Sequence, residues 1–211
     1  MIPRRRLLAA PFLLAAAPAA ADAANLVPAA DAAELARIAA YLNGIHTLKA
    51  HFLQVAPDGR ISEGTAWVDR PGRMRFAYAP PTPYLLVAGD GLVVFHDRQL
   101  NQTSTVPLDR TPLGILLAPK IRFSGSVKVT AIRRLPGEIA LTLIRAAAPE
   151  QGSLTLVFST DPLTLRQWSV LDPQHQRTTV SLTDIETGGR FPPALFSVAV
   201  PQQGSGGAGG G

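Results

Sequence analysis

Trp67 to Tyr78 reads W-V-D-R-P-G-R-M-R-F-A-Y, and the fold is decided by how this stretch turns. Pro71 fixes φ near the value that position i+1 of a tight turn requires, and Gly72 tolerates the positive φ that a type II turn places next. A residue before proline favours extended backbone, so Arg70 is expected as the last residue of a strand. Beyond the turn, Met74, Phe76 and Tyr78 fall on one face and Arg73, Arg75 and Ala77 on the other. The expected product is a β-hairpin with one apolar face and a guanidinium at its corner. On residue pattern alone, the plainest reading of Arg70 is a solvated surface arginine.

Working outward, Thr47–Val55 and Ile61–Asp69 read as strands on either side of the Pro57-Asp58-Gly59 turn. Arg73–Ala79 follows the corner, Pro80 to Pro83 interrupts, and Tyr84–Ala88 and Leu92–His96 flank Gly89-Asp90-Gly91. After Asp97-Arg98, the Gln, Asn and Thr content of Gln99–Pro107 suggests an edge strand. Further strands are expected at Ser126–Leu135, Glu138–Arg145, Ser153–Ser159, Thr164–Leu171, Gln176–Ile185 and Phe196–Val200, with a brief helical turn at Phe191–Leu195. Many short strands separated by turn signals predict a mainly β protein with a few helices, built on an antiparallel sheet or barrel. Consecutive pairing makes a meander the simplest topology.

Two segments break the strand pattern. Asp31–Asn43 reads as a helix, with Asp31 and Glu34 as a capping box and Asn43-Gly44 as its stop. Leu35, Ile38, Leu42 and Ile45 form one apolar stripe. The other faces are alanine-rich, which suits a helix that packs closely or slides rather than one anchored by large side chains. Thr111-Pro112 opens a second, short helix at Leu113–Ala118, with Thr at the cap and Pro at the first helical position. That helix has no polar side chain, so it has to be covered on several sides.

The chain of 211 residues starts M-I-P-R-R-R and runs on through Leu7–Ala21 with little but Leu, Ala, Phe and Pro. A basic start, a short apolar run and small residues describe an export signal over residues 1–24, cleaved after Ala21, Ala23 or Ala24. Residues 25–201 are then one domain, and residues 202–211 a disordered Gly-rich tail. The absence of cysteine excludes disulfides, thiolate metal ligands and a cysteine nucleophile. The net charge of +5, less Arg4, Arg5 and Arg6, leaves +2, or +3 if Asp22 also departs. The remaining basic residues are scattered, unlike the clustered stripe of a nucleic-acid binder. His46, His51, His96 and His175 lack metal-site spacing. No nucleophile elbow, Walker loop or dinucleotide fingerprint is present. The expectation is a soluble exported protein without catalytic residues, metal or cofactor, and not an enzyme.

The chain resembles the LolA family of periplasmic lipoprotein carriers. The resemblance runs through L-K-A-H-F-L-Q at Leu48–Gln54, G-T-A-W-V-D-R-P-G-R-M-R-F-A-Y at Gly64–Tyr78 and L-L-V-A-G-D-G at Leu85–Gly91. It continues in T-P-L-G-I-L-L at Thr111–Leu117 and L-T-L-V-F through W-S-V-L-D at Leu154–Asp172. Tyr84 and Val94 depart from the family's usual Gln and Trp. The resemblance implies an open antiparallel β half-barrel covered by a helical lid, which binds lipoprotein acyl chains in a hydrophobic cavity and transfers them to the outer membrane. It maps the family's cavity arginine to Arg70 and its apolar wall to Met74 and Phe76, with lid positions at Ile38, Leu42, Leu113, Ile115, Leu116 and Leu117. The implied partners of this monomer are lipoproteins, an inner-membrane lipoprotein-releasing transporter and an outer-membrane acceptor. A periplasmic lipid-sensing or interaction module on the same half-barrel, with no transfer role, is the alternative.

Overall fold

A computed structural model describes residues 29–197 of the chain. The expected export signal at 1–24, the tail at 202–211 and the end of the expected Phe196–Val200 strand lie outside them. Helix α1 (Ala29–Gly44) leads into strands β1 (Thr47–Val55), β2 (Ile61–Asp69), β3 (Arg73–Tyr78), β4 (Tyr84–Gly89), β5 (Leu92–Asp97) and β6 (Gln102–Pro107). A connecting segment holds a 3-10 turn (Leu108–Arg110) and the short helix α2 (Leu113–Leu116). Then come β7 (Val127–Leu135), β8 (Glu138–Arg145), β9 (Ser153–Thr160), β10 (Leu163–Leu171) and β11 (Arg177–Thr187). Two more 3-10 turns occupy Pro149–Gln151 and Pro193–Phe196, so Phe196 ends a helical turn instead of opening a strand.

The eleven strands among the described residues form one antiparallel sheet in the order β6-β5-β4-β3-β2-β1-β11-β10-β9-β8-β7. The expected single meander is therefore two meanders joined side by side. β1 pairs with β2 on one edge and with β11 on the other, from Leu48 opposite Thr187 to Val55 opposite Thr179. β6 and β7, consecutive in the chain, become the two outer edges. The segment carrying α2 has to cross from one to the other.

The sheet is strongly curved. β3 and β10 stand four strand steps apart, about 19 Å along a flat sheet at the usual inter-strand spacing. Yet the rings of Phe76 on β3 and Trp168 on β10 have centroids 5.9 Å apart. The register shifts between Lys49 and His51, between Val129 and Ala131, and between Leu165 and Gln167. Such bulges bend the strand that carries them.

Some local expectations change. The Arg70–Pro71 peptide is cis, and Gly72 takes the expected positive φ of 77°. β2 ends at Asp69, opposite Arg73, and Arg70 opens the turn. Asp31 is not a cap, since α1 begins at Ala29; it pairs with Arg134 on β7 instead. β6 starts only at Gln102, because the Asp97 carboxylate accepts from the Gln99 and Leu100 amides and Asn101 has φ of 50°. That side-chain turn displaces ladder pairing at residues 99–101.

Candidate functional site

Alternation decides what the concave side of the sheet presents. Leu48, Ala50 and Phe52 of β1, Ala66 and Val68 of β2, and Met74, Phe76 and Tyr78 of β3 are buried, and all point inward. The other half contributes Ile139, Leu141, Leu143, Leu154, Leu156, Phe158, Leu165, Trp168, Val180 and Leu182. Aromatic rings run across this floor in contact, from Trp168 to Phe76, Phe52, Tyr78, Tyr84 and Phe95.

The two helices cover the floor. α1 turns Leu35, Ile38 and Leu42 inward at the spacing its sequence shows, and Ile38 is fully buried. Tyr41 stacks edge-on against Phe158, and its hydroxyl accepts the Leu165 amide at 2.9 Å. The stripe of large side chains is buried, while the alanines on the other faces are mostly exposed. α2 buries Ile115 and Leu116, with Leu117 beyond it, while Leu113 is half-buried. Thr111 is extended and its carbonyl accepts the Gly114 amide, but its hydroxyl turns back to donate to Leu108. Gly114 lets this helix approach closely, because a Cβ there would meet the Leu108 carbonyl and the Arg145 guanidinium.

Arg70 joins sheet to cover. It is 9% exposed, so the surface-arginine reading fails. Its Nη1 donates to the carbonyls of Leu42 at 2.5 Å and Ile45 at 3.2 Å, around the C-terminus of α1. Its Nε and Nη2 both donate to the Ala118 carbonyl just past α2, at 3.1 and 2.8 Å, and Nη2 also reaches Asn43 Oδ1 at 3.3 Å. Every one of these acceptors is uncharged. A helix C-terminus carries unpaired carbonyls and partial negative charge, which is what a fork of cationic donors satisfies. Burial pulls the Arg70 pKa below the usual arginine value, yet an arginine keeps its proton in proteins. The turn backbone adds two bonds, Arg70 N–H to His46 and Gly72 N–H to Leu117.

Between floor and cover lies a cavity of about 210 Å³, lined by Met74, Phe76, Leu86, Val93, Leu113 and Trp168, with Gln54, Tyr78, Thr111, Val170, Thr178 and Val180 completing it. A second space of about 20 Å³, next to Arg70, lies among Leu42, Leu116, Val68 and Trp168. The structure thus brings Met74, Phe76 and Leu113 to the main cavity, and Leu42 and Leu116 to the smaller one. Ile38, Ile115 and Leu117 are buried in the cover without lining either. Sequence reasoning missed Asn43, whose amide clasps Ile121 in both directions, donating to its carbonyl at 2.9 Å and accepting its N–H at 2.8 Å. It also missed Gln54 and Tyr78, whose hydroxyl donates to Gln54 Oε1 at 2.8 Å. Their in-phase spacing with Phe52 and Phe76 was the available signal. Burial pushes the Tyr78 pKa up to about 12, so the hydroxyl stays a donor at neutral pH. Among the described residues, no group of three or more His, Cys, Asp or Glu could hold a metal ion, and no helix is long and apolar enough to cross a membrane.

An open antiparallel half-barrel with an apolar concave face, covered by two helices over an apolar cavity, defines the class of this protein. Residues 43–199 match the profile of "Outer membrane lipoprotein carrier protein LolA", and the chain belongs to this family. It is 28% identical to an outer-membrane lipoprotein carrier protein of Chromohalobacter salexigens, over 79% of this chain and 82% of that one. It is 27% identical to the same-named protein of Pseudomonas aeruginosa, over 87% and 91% of the two chains. A solved LolA superfamily protein from Nitrosomonas europaea aligns with a TM-score of 0.42 and 9% identity, over 78% of this chain and 95% of that one.

Proposed function

We propose that this protein carries lipoproteins through the periplasm to the outer membrane by sheltering their acyl chains between the concave sheet and its helical cover. The family match and the carriers named among its relatives support this reading, and the observation that carries it is the covered apolar cavity. Each buried methylene is worth about 0.8 kcal/mol, so one long acyl chain left in water costs roughly 12 kcal/mol. A carrier has to hide that chain, yet it cannot grip with the whole of that energy or it would not release. A 150 Å³ apolar cavity takes a molecule the size of benzene. The 210 Å³ here accommodates little more, so loading requires the cover to lift. An empty carrier closes its own apolar wall, and a loaded one trades those contacts for the cargo's.

Arg70, Met74 and Phe76 serve this site from the sheet, and Ile38, Leu42, Leu113, Ile115, Leu116 and Leu117 from the cover. The basic start and apolar run of residues 1–21 support export, with residues 25–201 as a single carrier domain. A donor transporter in the inner membrane and an acceptor in the outer membrane complete the route for a monomer that performs no chemistry of its own. Mass spectrometry of the protein isolated intact from the periplasm tests this, together with displacement of a bound hydrophobic dye by a synthetic diacylated lipopeptide. Copurifying acylated peptides and displacement at micromolar lipopeptide are expected; the absence of both overturns the reading.

A further inference from the structure

The cavity lining is mostly apolar, and its polar side chains from the sheet are Gln54, Tyr78 and Thr178. Gln54 occupies the inward phase of β1 after Leu48, Ala50 and Phe52, where an apolar residue would continue the floor. It also borders the outer groove formed by Arg60, Pro83 and Tyr84, which places it at the cavity's entrance. It lies seven residues along β1 from the start of the strand near Arg70, about 24 Å at the rise of an extended chain. The Arg70 tie between cover and sheet thus stands at one end of β1, and Gln54 and Tyr78 stand toward the other.

The hydrogen-bond inventory of that pair is unbalanced. A tyrosine hydroxyl has one proton, and Tyr78 gives it to Gln54 Oε1. The Gln54 amide nitrogen keeps two N–H donors that bond to nothing among the described residues. It is not sealed off either: the buried side-chain polar atoms without a partner among the described residues are Arg145 Nε and Gln151 Oε1, both elsewhere. The amide therefore offers uncharged donors toward the entrance, fixed in orientation by a tyrosine that is 7% exposed. Met74, Phe76 and Trp168, which line the same cavity, are buried apolar side chains. A ligand matching this lining has a hydrocarbon tail and, where the tail ends, a neutral hydrogen-bond acceptor.

We infer that Gln54, held by Tyr78, binds the carbonyl oxygen of the ester or amide that joins an acyl chain to its headgroup, and so reads the acyl linkage as well as the chain. The inference rests on the carrier reading. Its function is selective: a bare alkyl chain fills the same cavity but leaves the amide donors unpaired, and an unpaired donor costs more than the bond gains.

The test compares a diacylglycerol with the dialkyl ether glycerol of equal chain length as competitors for a bound hydrophobic dye on the full-length mature protein. The ester should compete about fivefold better, the value of one hydrogen bond of ordinary strength. Gln54→Leu should bring the ratio to about one by weakening the ester while leaving the ether unchanged. Tyr78→Phe, which frees the amide to swing, should at least halve the ratio and serves in its place should Gln54→Leu not fold. Equal competition by ester and ether on the unaltered protein overturns the linkage subsite alone, as does an unchanged ratio in the folded variants. Displacement by neither lipid also overturns the linkage subsite, and only together with the absence of lipopeptide displacement and of copurifying acylated peptides does it overturn the carrier reading.

Discussion

Arg70 brings a charge into a nearly buried corner and neutralises it with carbonyls alone. A point-charge ammonium serves such a corner poorly, because the acceptors lie in three places, around the end of α1, at Ala118 and at Asn43, while the guanidinium donates from all three of its nitrogens. Replacing Arg70 with Leu keeps much of the bulk and removes the guanidinium from the Ile45 and Ala118 carbonyls, while the Leu42 carbonyl keeps the Ile45 N–H. Each stranded acceptor costs about 1–3 kcal/mol, offset in part because no guanidinium is desolvated any longer. A net loosening of the cover by about 2 kcal/mol would raise its open population roughly thirtyfold. The empty Arg70→Leu protein should then bind more hydrophobic dye than the unaltered one and transfer lipoprotein to its acceptor differently, with Arg70→Lys in between. If dye binding and transfer both stay as they are, the latch assignment to Arg70 fails. The sequence showed an arginine at a hairpin corner but not its burial, because what buries it comes from 25 to 48 residues away along the chain.

The elements were legible to differing degrees. β1, β2 and β8 begin and end where alternation and turn residues place them. α1 was misread at its start, where Asp31 resembles a cap but forms an ion pair with a strand more than a hundred residues on. The covering role of α2 followed from its all-apolar sequence, since no water-facing side could be assigned to it. Asn43 looked like a helix stop signal and is one, but its side chain also fastens the end of α1 to the segment after α2. Asn43→Leu removes both bonds to Ile121 and the acceptor for Arg70 while leaving every strand pair intact. We expect amide exchange to accelerate at the end of α1 and across residues 117–123, and β1, β9 and β10 to keep their protection. Loss of protection spread evenly over the sheet would show instead that Asn43 supports the whole domain rather than the joint between the covers.

The whole molecule follows from one long-range pairing, β1 with β11, which fuses two meanders and leaves β6 and β7 as free edges. Local signals reveal hairpins but not a pairing between residues 48 and 187, so only the likeness to a known family anticipated the half-barrel. The same geometry dictates where movement is cheap. Strands β1 to β5 and β8 to β11 are bonded along both edges, whereas α1 and α2 rest on side chains and the few polar contacts around Arg70, Asn43, Tyr41 and Asp31. A cargo larger than the 210 Å³ cavity therefore gains room by moving helices, since opening the sheet would break whole ladders of backbone bonds. Comparing hydrogen exchange of the empty protein with that of the complex with a diacylated lipopeptide should show faster exchange in α1, α2 and residues 117–123. The sheet from β1 to β4 and from β8 to β11 should be unchanged or better protected. Deprotection of β1 and β11 on loading, with the helices still protected, would mean that the barrel splits at its central seam and that the helices are not the moving part.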